Sequence, residues 1–93
     1  MNQNKLKLAR NKVDQLDQKI FNLIIERTRI VEYMLSLKKF KKEIVDHKRN
    51  NDIFKKIKNK SIKNNIDPKI TKRIWKAIIW SYVNFQRRNF KRK

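Results

Sequence analysis

Arg27 stands four residues after Leu23 and four before Val31, in phase with a run of apolar side chains. Lys38 follows Met34 by four and Arg27 by eleven. Eleven residues at ~100° each return to within ~20° of the same direction, about 16 Å further along a helix. Two cations on one oily seam are costly unless something negative faces them, and the chain has only 8 carboxylates to offer. A small ligand bearing carboxylates would resolve the conflict. The plain alternative is a frayed stripe whose long side chains reach back to solvent. Arg49 precedes Ile53 and Ile57 by four and eight, on the expected inner face of a second helix. Gln86 follows Trp75 and Ile79 by eleven and seven, which puts a neutral amide on the inner face of a third. Arg10 lies ~25 Å from Arg27 along the first helix and is rotated by ~100°. It cannot serve the same small ligand from the same chain, but in an intertwined dimer it reaches the partner's pocket.

The absences define the chemistry further. The single His, His47, opens the second helix with no obvious Asp or Ser beside it, and reads as an exposed first-turn residue. No catalytic triad, metal-ligand cluster or pair of acid/base carboxylates is evident. Cations with one amide suit a reaction that needs orientation and charge stabilisation without proton transfer. No metal or cofactor is expected.

Three helices would have to position these residues. From Lys5 to about Lys41 there is no breaker, and Val13, Leu16, Ile20, Leu23, Ile24, Val31 and Met34 recur at helical spacing. Lys41-Lys42-Glu43-Ile44-Val45 loses that rhythm and reads as a short connection. Asp46 is a candidate N-cap for a second helix to about Ile62, with Ile53 and Ile57 inward. Asn64-Asn65-Ile66 interrupts the pattern. Asp67-Pro68 restarts it, a capping carboxylate followed by Pro at the first helical position. The third helix runs to about Phe90, with Ile70, Ile74, Trp75, Ile78, Ile79 and Tyr82 as buried candidates, and residues 87–93 read as a basic tail. A first helix of about 37 residues is a rod of roughly 55 Å, whereas a compact chain of this length has a radius of gyration near ~12 Å. The two shorter helices cannot cover that rod's stripe, so a second copy of the chain is expected to do so. A rod bent into a monomeric bundle is the alternative.

Composition sets the outer limits. The 93 residues allow one domain, residues 1–93, with a small core. Gly is absent, Pro68 is the only Pro, and there is no Cys. These facts exclude Gly-rich phosphate loops, most β architectures, disulfides and thiolate-metal sites. No apolar run approaches the ~18–20 residues that span a bilayer, and no signal-peptide pattern opens the chain. An all-α cytoplasmic protein is expected, with no membrane partner. The net charge of +19 invites a nucleic-acid reading, but 19 of the 27 basic residues are Lys, spread along the chain with much Asn and Ile. That distribution fits the amino-acid bias of an AT-rich genome better than a dedicated phosphate-binding face. A basic helical module that binds RNA or DNA is kept as a rival, not as the partner assigned.

Taken together, several segments resemble the all-helical chorismate mutases. They are Arg10-Asn11-Lys12-Val13-Asp14-Gln15-Leu16-Asp17, Leu23-Ile24-Ile25-Glu26-Arg27 with Lys38 eleven residues on, Val45-Asp46-His47-Lys48-Arg49, Ile66-Asp67-Pro68, and Ile78-Ile79-Trp80-Ser81-Tyr82-Val83-Asn84-Phe85-Gln86. The resemblance implies the type II fold, an intertwined homodimer of three-helix subunits whose long first helix is shared between two active sites. It also implies conversion of chorismate, a dicarboxylate, to prephenate without cofactor, on the route to phenylalanine and tyrosine. By position, Arg10 of one subunit and Arg27 of the other would hold the substrate carboxylates. Lys38 would contact a carboxylate and the ether oxygen, and Gln86 would donate to that oxygen. Arg49 would add positive charge at the ring end, and Asp46 would lie beside the C4 hydroxyl. Two positions depart from the pattern. Asn50 stands where the family commonly has Glu, and Tyr82 where many mutases have a small hydroxyl residue. Related isochorismate-pyruvate lyases also lack the Glu and share the Ile78-Ile79, Tyr82 and Gln86 ending, which makes salicylate formation the alternative activity.

Overall fold

A computed structural model describes residues 2–91, and every residue with regular structure is helical. Helix α1 spans Asn2–Leu37, a 3-10 turn spans Lys41–Ile44, α2 spans His47–Lys63 and α3 spans Pro68–Asn89. The chain forms two compact units, Met1–Glu32 and Tyr33–Lys93.

The first unit is the bulk of α1. Its apolar stripe follows the predicted periodicity, yet most of it is uncovered: Val13 is 53% exposed, Leu16 56%, Ile20 54% and Leu23 62%. Only Val31, of the residues expected to be buried on α1, is so. Periodicity marked the face correctly, but a single helix has nothing of its own to fold against.

The second unit has a core. Ile44, Ile79 and Val83 are buried together, with Leu35, Val45, Ile53, Phe54 and Phe90 packed around them. Ile44 belongs to the segment read as a mere connection, and the 3-10 turn there drives it against α3. Among the candidates on α3, Ile79 is buried and Trp75, Ile78 and Tyr82 are half-buried, while Ile70 and Ile74 remain exposed. A partly buried hydroxyl pair, Ser61 Oγ and Thr71 Oγ1 at 2.7 Å, ties α2 to α3.

The helix ends show why the elements stop where they do. Asp46 caps α2 by accepting from Arg49 N at 3.0 Å, and Asp67 caps α3 by accepting from Lys69 N at 2.9 Å, as the sequence predicts. α2 ends at a left-handed residue, Asn65 with φ 57°. Asn is the residue that adopts this conformation at least cost in a chain without Gly. Ile66 N then donates to Ser61 O at 2.9 Å, closing the end of the helix.

Two boundaries differ from expectation. α1 ends at Leu37, not near Lys41, because Glu43 Oε2 accepts from both Lys39 N and Phe40 N at 2.7 Å. Those two amides would otherwise continue the helical ladder. At the other end, Arg87 and Arg88 continue α3, and half-buried Phe90 packs on the core. The tail read over residues 87–93 therefore begins inside a helix, and its last two residues, Arg92 and Lys93, lie outside the described ones.

Candidate active site

Lys38 is the first residue beyond α1, and its amide still donates to Leu35 O at 3.2 Å. Its half-buried side chain turns toward α3, where Nζ donates to Gln86 Oε1 at 2.7 Å. Gln86 is 7% exposed, and its Nε2 donates in turn to the Tyr82 carbonyl at 3.2 Å. Both ends of the amide are thereby oriented: the oxygen toward the ammonium, the nitrogen toward the helix backbone. An NH2 group carries two hydrogens, so this bond leaves Gln86 a second donor. The predicted projection of Gln86 from the inner face of α3 is what places it here. Half-buried Tyr82 makes an edge-on contact with Phe85, with 6.4 Å between ring centres.

Electrostatics around Lys38 are mixed. Burial lowers its pKa from the ordinary lysine value, and the charges of Glu43 and Asp46 oppose that shift. Glu43 is held below the usual carboxylate range, chiefly by the Phe40 N–H; desolvation, next in size, opposes this, and the Lys39 N–H and the charges of Lys38 and Lys39 add to the lowering.

The remaining predicted residues divide by unit. Asp46, Arg49 and Asn50 lie at the start of α2. Asp46 is committed to the cap, and its carbonyl accepts from Asn50 N at 3.0 Å. Asn50 is half-buried. Arg49 is exposed in the single chain, in the first turn of α2 ahead of Ile53 and Phe54, which pack on the core. With Asp46, Lys48, Asp52, Ile53 and Lys56 it lines an open depression of about 300 Å³. His47 is exposed, as read. On the first unit, Arg27 is half-buried and Arg10 exposed. A separate groove of about 310 Å³ between α2 and α3 is floored by Phe54, Ile57 and Pro68, and none of the predicted site residues lines it.

Glu43 is the residue that sequence reading passed over. Its signal was present: a lone carboxylate among Lys38, Lys39, Lys41 and Lys42, just past a helix end. Among the described residues no group of three or more His, Cys, Asp or Glu could hold a metal ion, and no helix is long and apolar enough to cross a membrane. The arrangement offers an ammonium and an amide fixed against each other, a pair suited to stabilising negative charge on one oxygen.

Comparison with known proteins agrees with the geometry. No curated protein and no solved structure gives a significant match. The family model of chorismate mutase type II matches residues 9–87, which include all eight predicted site residues. The chain therefore belongs to the chorismate mutase type II family.

Proposed function

We propose that the chain is a chorismate mutase that acts as an intertwined homodimer, with both of its units in one catalytic domain. The observation that carries the reading is the Lys38–Gln86 pair, an ammonium and a buried amide 2.7 Å apart on segments 48 residues distant. In the rearrangement of chorismate the ether C–O bond breaks as a C–C bond forms, and electron density grows on the ether oxygen. Lys38 and the second N–H of Gln86 donate to that oxygen. Donors already aimed at a growing charge lower the barrier without reorganising. Arg27 and the partner's Arg10 hold the two carboxylates and keep the enolpyruvyl group over the ring. Arg49 adds positive charge at the ring end. The Asp46 backbone and Asn50 lie beside the C4 hydroxyl. The exposed stripe of Val13, Leu16, Ile20 and Leu23 supports the dimer, because a second copy would cover it and bring Arg10 across. Prephenate formation serves aromatic amino-acid biosynthesis in the cytoplasm.

Two positions favour a second reading. Asn50 is a neutral amide where the family commonly has a carboxylate, and Tyr82 replaces a small hydroxyl residue, as in isochorismate-pyruvate lyases. Purified protein distinguishes the two spectrophotometrically. Loss of chorismate with formation of prephenate supports the mutase. Release of salicylate and pyruvate from isochorismate, with chorismate untouched, replaces it with the lyase. Activity on neither substrate overturns both.

A further inference from the structure

Lys38 leaves α1 with no helical hydrogen bond beyond Leu35 O, yet its ammonium meets Gln86. Something must hold the intervening backbone. Glu43 Oε2 accepts from Lys39 N and Phe40 N, each at 2.7 Å. In return, Glu43 N donates to Phe40 O at 3.0 Å. One side chain thus closes a ring around the two residues that follow Lys38. The next residue, Ile44, is 5% exposed and packs with Ile79 and Val83 of α3, the helix that carries Gln86. The carboxylate therefore links the Lys38 turn to the same helix that supplies its hydrogen-bond acceptor.

We propose that Glu43 is a positioning residue for Lys38, whose single carboxylate fixes the turn after α1 and faces the ammonium with negative charge, so that Lys38 stays on Gln86. The inference rests on the reading of Lys38 as a substrate-contacting group. The charged groups acting on Lys38 are Glu43 from the 3-10 turn and Asp46 ahead of α2. α3 presents neutral Gln86, with Tyr82 one turn earlier. Those acting on Glu43 are Lys38 and Lys39. Burial already weakens the ammonium's hold on its proton, and Glu43 works against that loss. Removing the charge lets the proton leave at lower pH.

The test uses the full chain with Glu43→Gln and Glu43→Ala. Gln keeps an oxygen acceptor and loses the charge; Ala loses both. For Glu43→Ala we expect kcat to fall by about 10- to 10²-fold, the scale of an ångström-level misplacement, with KM changing far less. Exchange of the Lys39 and Phe40 amides with solvent should quicken in the same variant. Glu43→Gln should recover most of kcat near neutral pH but move the alkaline limb of its pH profile to lower pH. If Glu43→Ala does not fold, Glu43→Gln decides alone. An unchanged alkaline limb in Glu43→Gln, or an unchanged kcat in folded Glu43→Ala, overturns the proposal. Titration of the Lys38 side chain by NMR separates this inference from the assigned activity. A lower Lys38 pKa in Glu43→Gln supports the positioning role even in protein without mutase activity, and an unmoved one refutes it.

Discussion

Replacing Lys38 and Gln86 by Ala, singly and together, examines the pair on which the functional reading depends. Each side chain is proposed to donate to the ether oxygen, and loss of one preorganised donor costs about 2.7–4 kcal/mol, or roughly 10²- to 10³-fold in rate. The 2.7 Å contact adds a second consequence. Lys38→Ala strips the acceptor Gln86 Oε1 of its partner in a position only 7% exposed, and an unsatisfied buried group costs about 1–3 kcal/mol. Gln86→Ala leaves the half-buried ammonium without this acceptor. Either single change therefore disturbs the residue that remains. The double variant has no surviving partner to misplace, so its loss should fall short of the product of the two single losses. Coupling between contacting residues runs to about 0.5–3 kcal/mol, which is about 2- to 150-fold at ~1.36 kcal/mol per decade. The measurement is kcat/KM from the decay of chorismate absorbance, with circular dichroism to verify that each variant folds. Near-full activity in either single variant would contradict the assigned roles. Losses that multiply would show that the two groups act independently, against the reading of the pair as one device.

Arg10→Ala should be inactive alone and partly restored by mixing with Arg27→Ala, because a heterodimer regains one complete site; verified heterodimers without restored activity would refute sharing across subunits. Ile79→Ala should destabilise the chain by about 2–5 kcal/mol in urea unfolding, since Ile79 is 6% exposed and packs with Ile44 and Val83; a loss below ~1 kcal/mol would mean that this cluster is not the core. Asn65→Gly removes the Cβ that the left-handed region penalises by about 1–2 kcal/mol and should not destabilise, whereas Asn65→Ala keeps the Cβ, loses the amide that eases this conformation, and should be the less stable of the two. Equal stability of the two variants would argue against the positive φ at this turn.

Local chemistry was the most legible part of the sequence. Asp46 and Asp67 are caps because a short carboxylate before a helix has amides within reach, and that signal needs no knowledge of the rest of the fold. Asn64-Asn65 likewise marks its own turn. What a residue packs against was less legible. The stripe on α1 names a face without naming what covers it, so Val13 and Leu16 read as buried candidates and are exposed within one chain. Ile44 and Phe90 went unread as core because neither belongs to a periodic run; a 3-10 turn and a helix end bring them onto Ile79 and Val83. The end of α1 was misplaced for a related reason. Lys39 and Phe40 have sound helical neighbours, and only a carboxylate reaching back from Glu43 removes their amides from the ladder. In the site, helical phase placed Gln86 on the buried inner face of α3, while Arg49, in phase with Ile53 and Ile57, is exposed within one chain.

The neutral Asn50 bears on binding more than on the chemical step. A hydroxyl on the ring carries no new charge as the ether bond breaks, so an acceptor placed there holds ground state and transition state nearly alike. Uniform binding of that kind changes KM and leaves kcat largely alone. The ether oxygen is different, because its charge grows during the reaction, and the groups proposed to meet it, Lys38 and Gln86, are held against each other within one packed unit. Exchanging a charged acceptor for an amide at position 50 therefore weakens or relaxes recognition of the hydroxyl end. The pair proposed to stabilise charge is left intact. That asymmetry explains how one scaffold can tolerate Asn at this position whether its substrate is chorismate or the isomer with the hydroxyl moved. On the proposed reading, discrimination between the two rests at the start of α2, with the Lys38–Gln86 pair common to both.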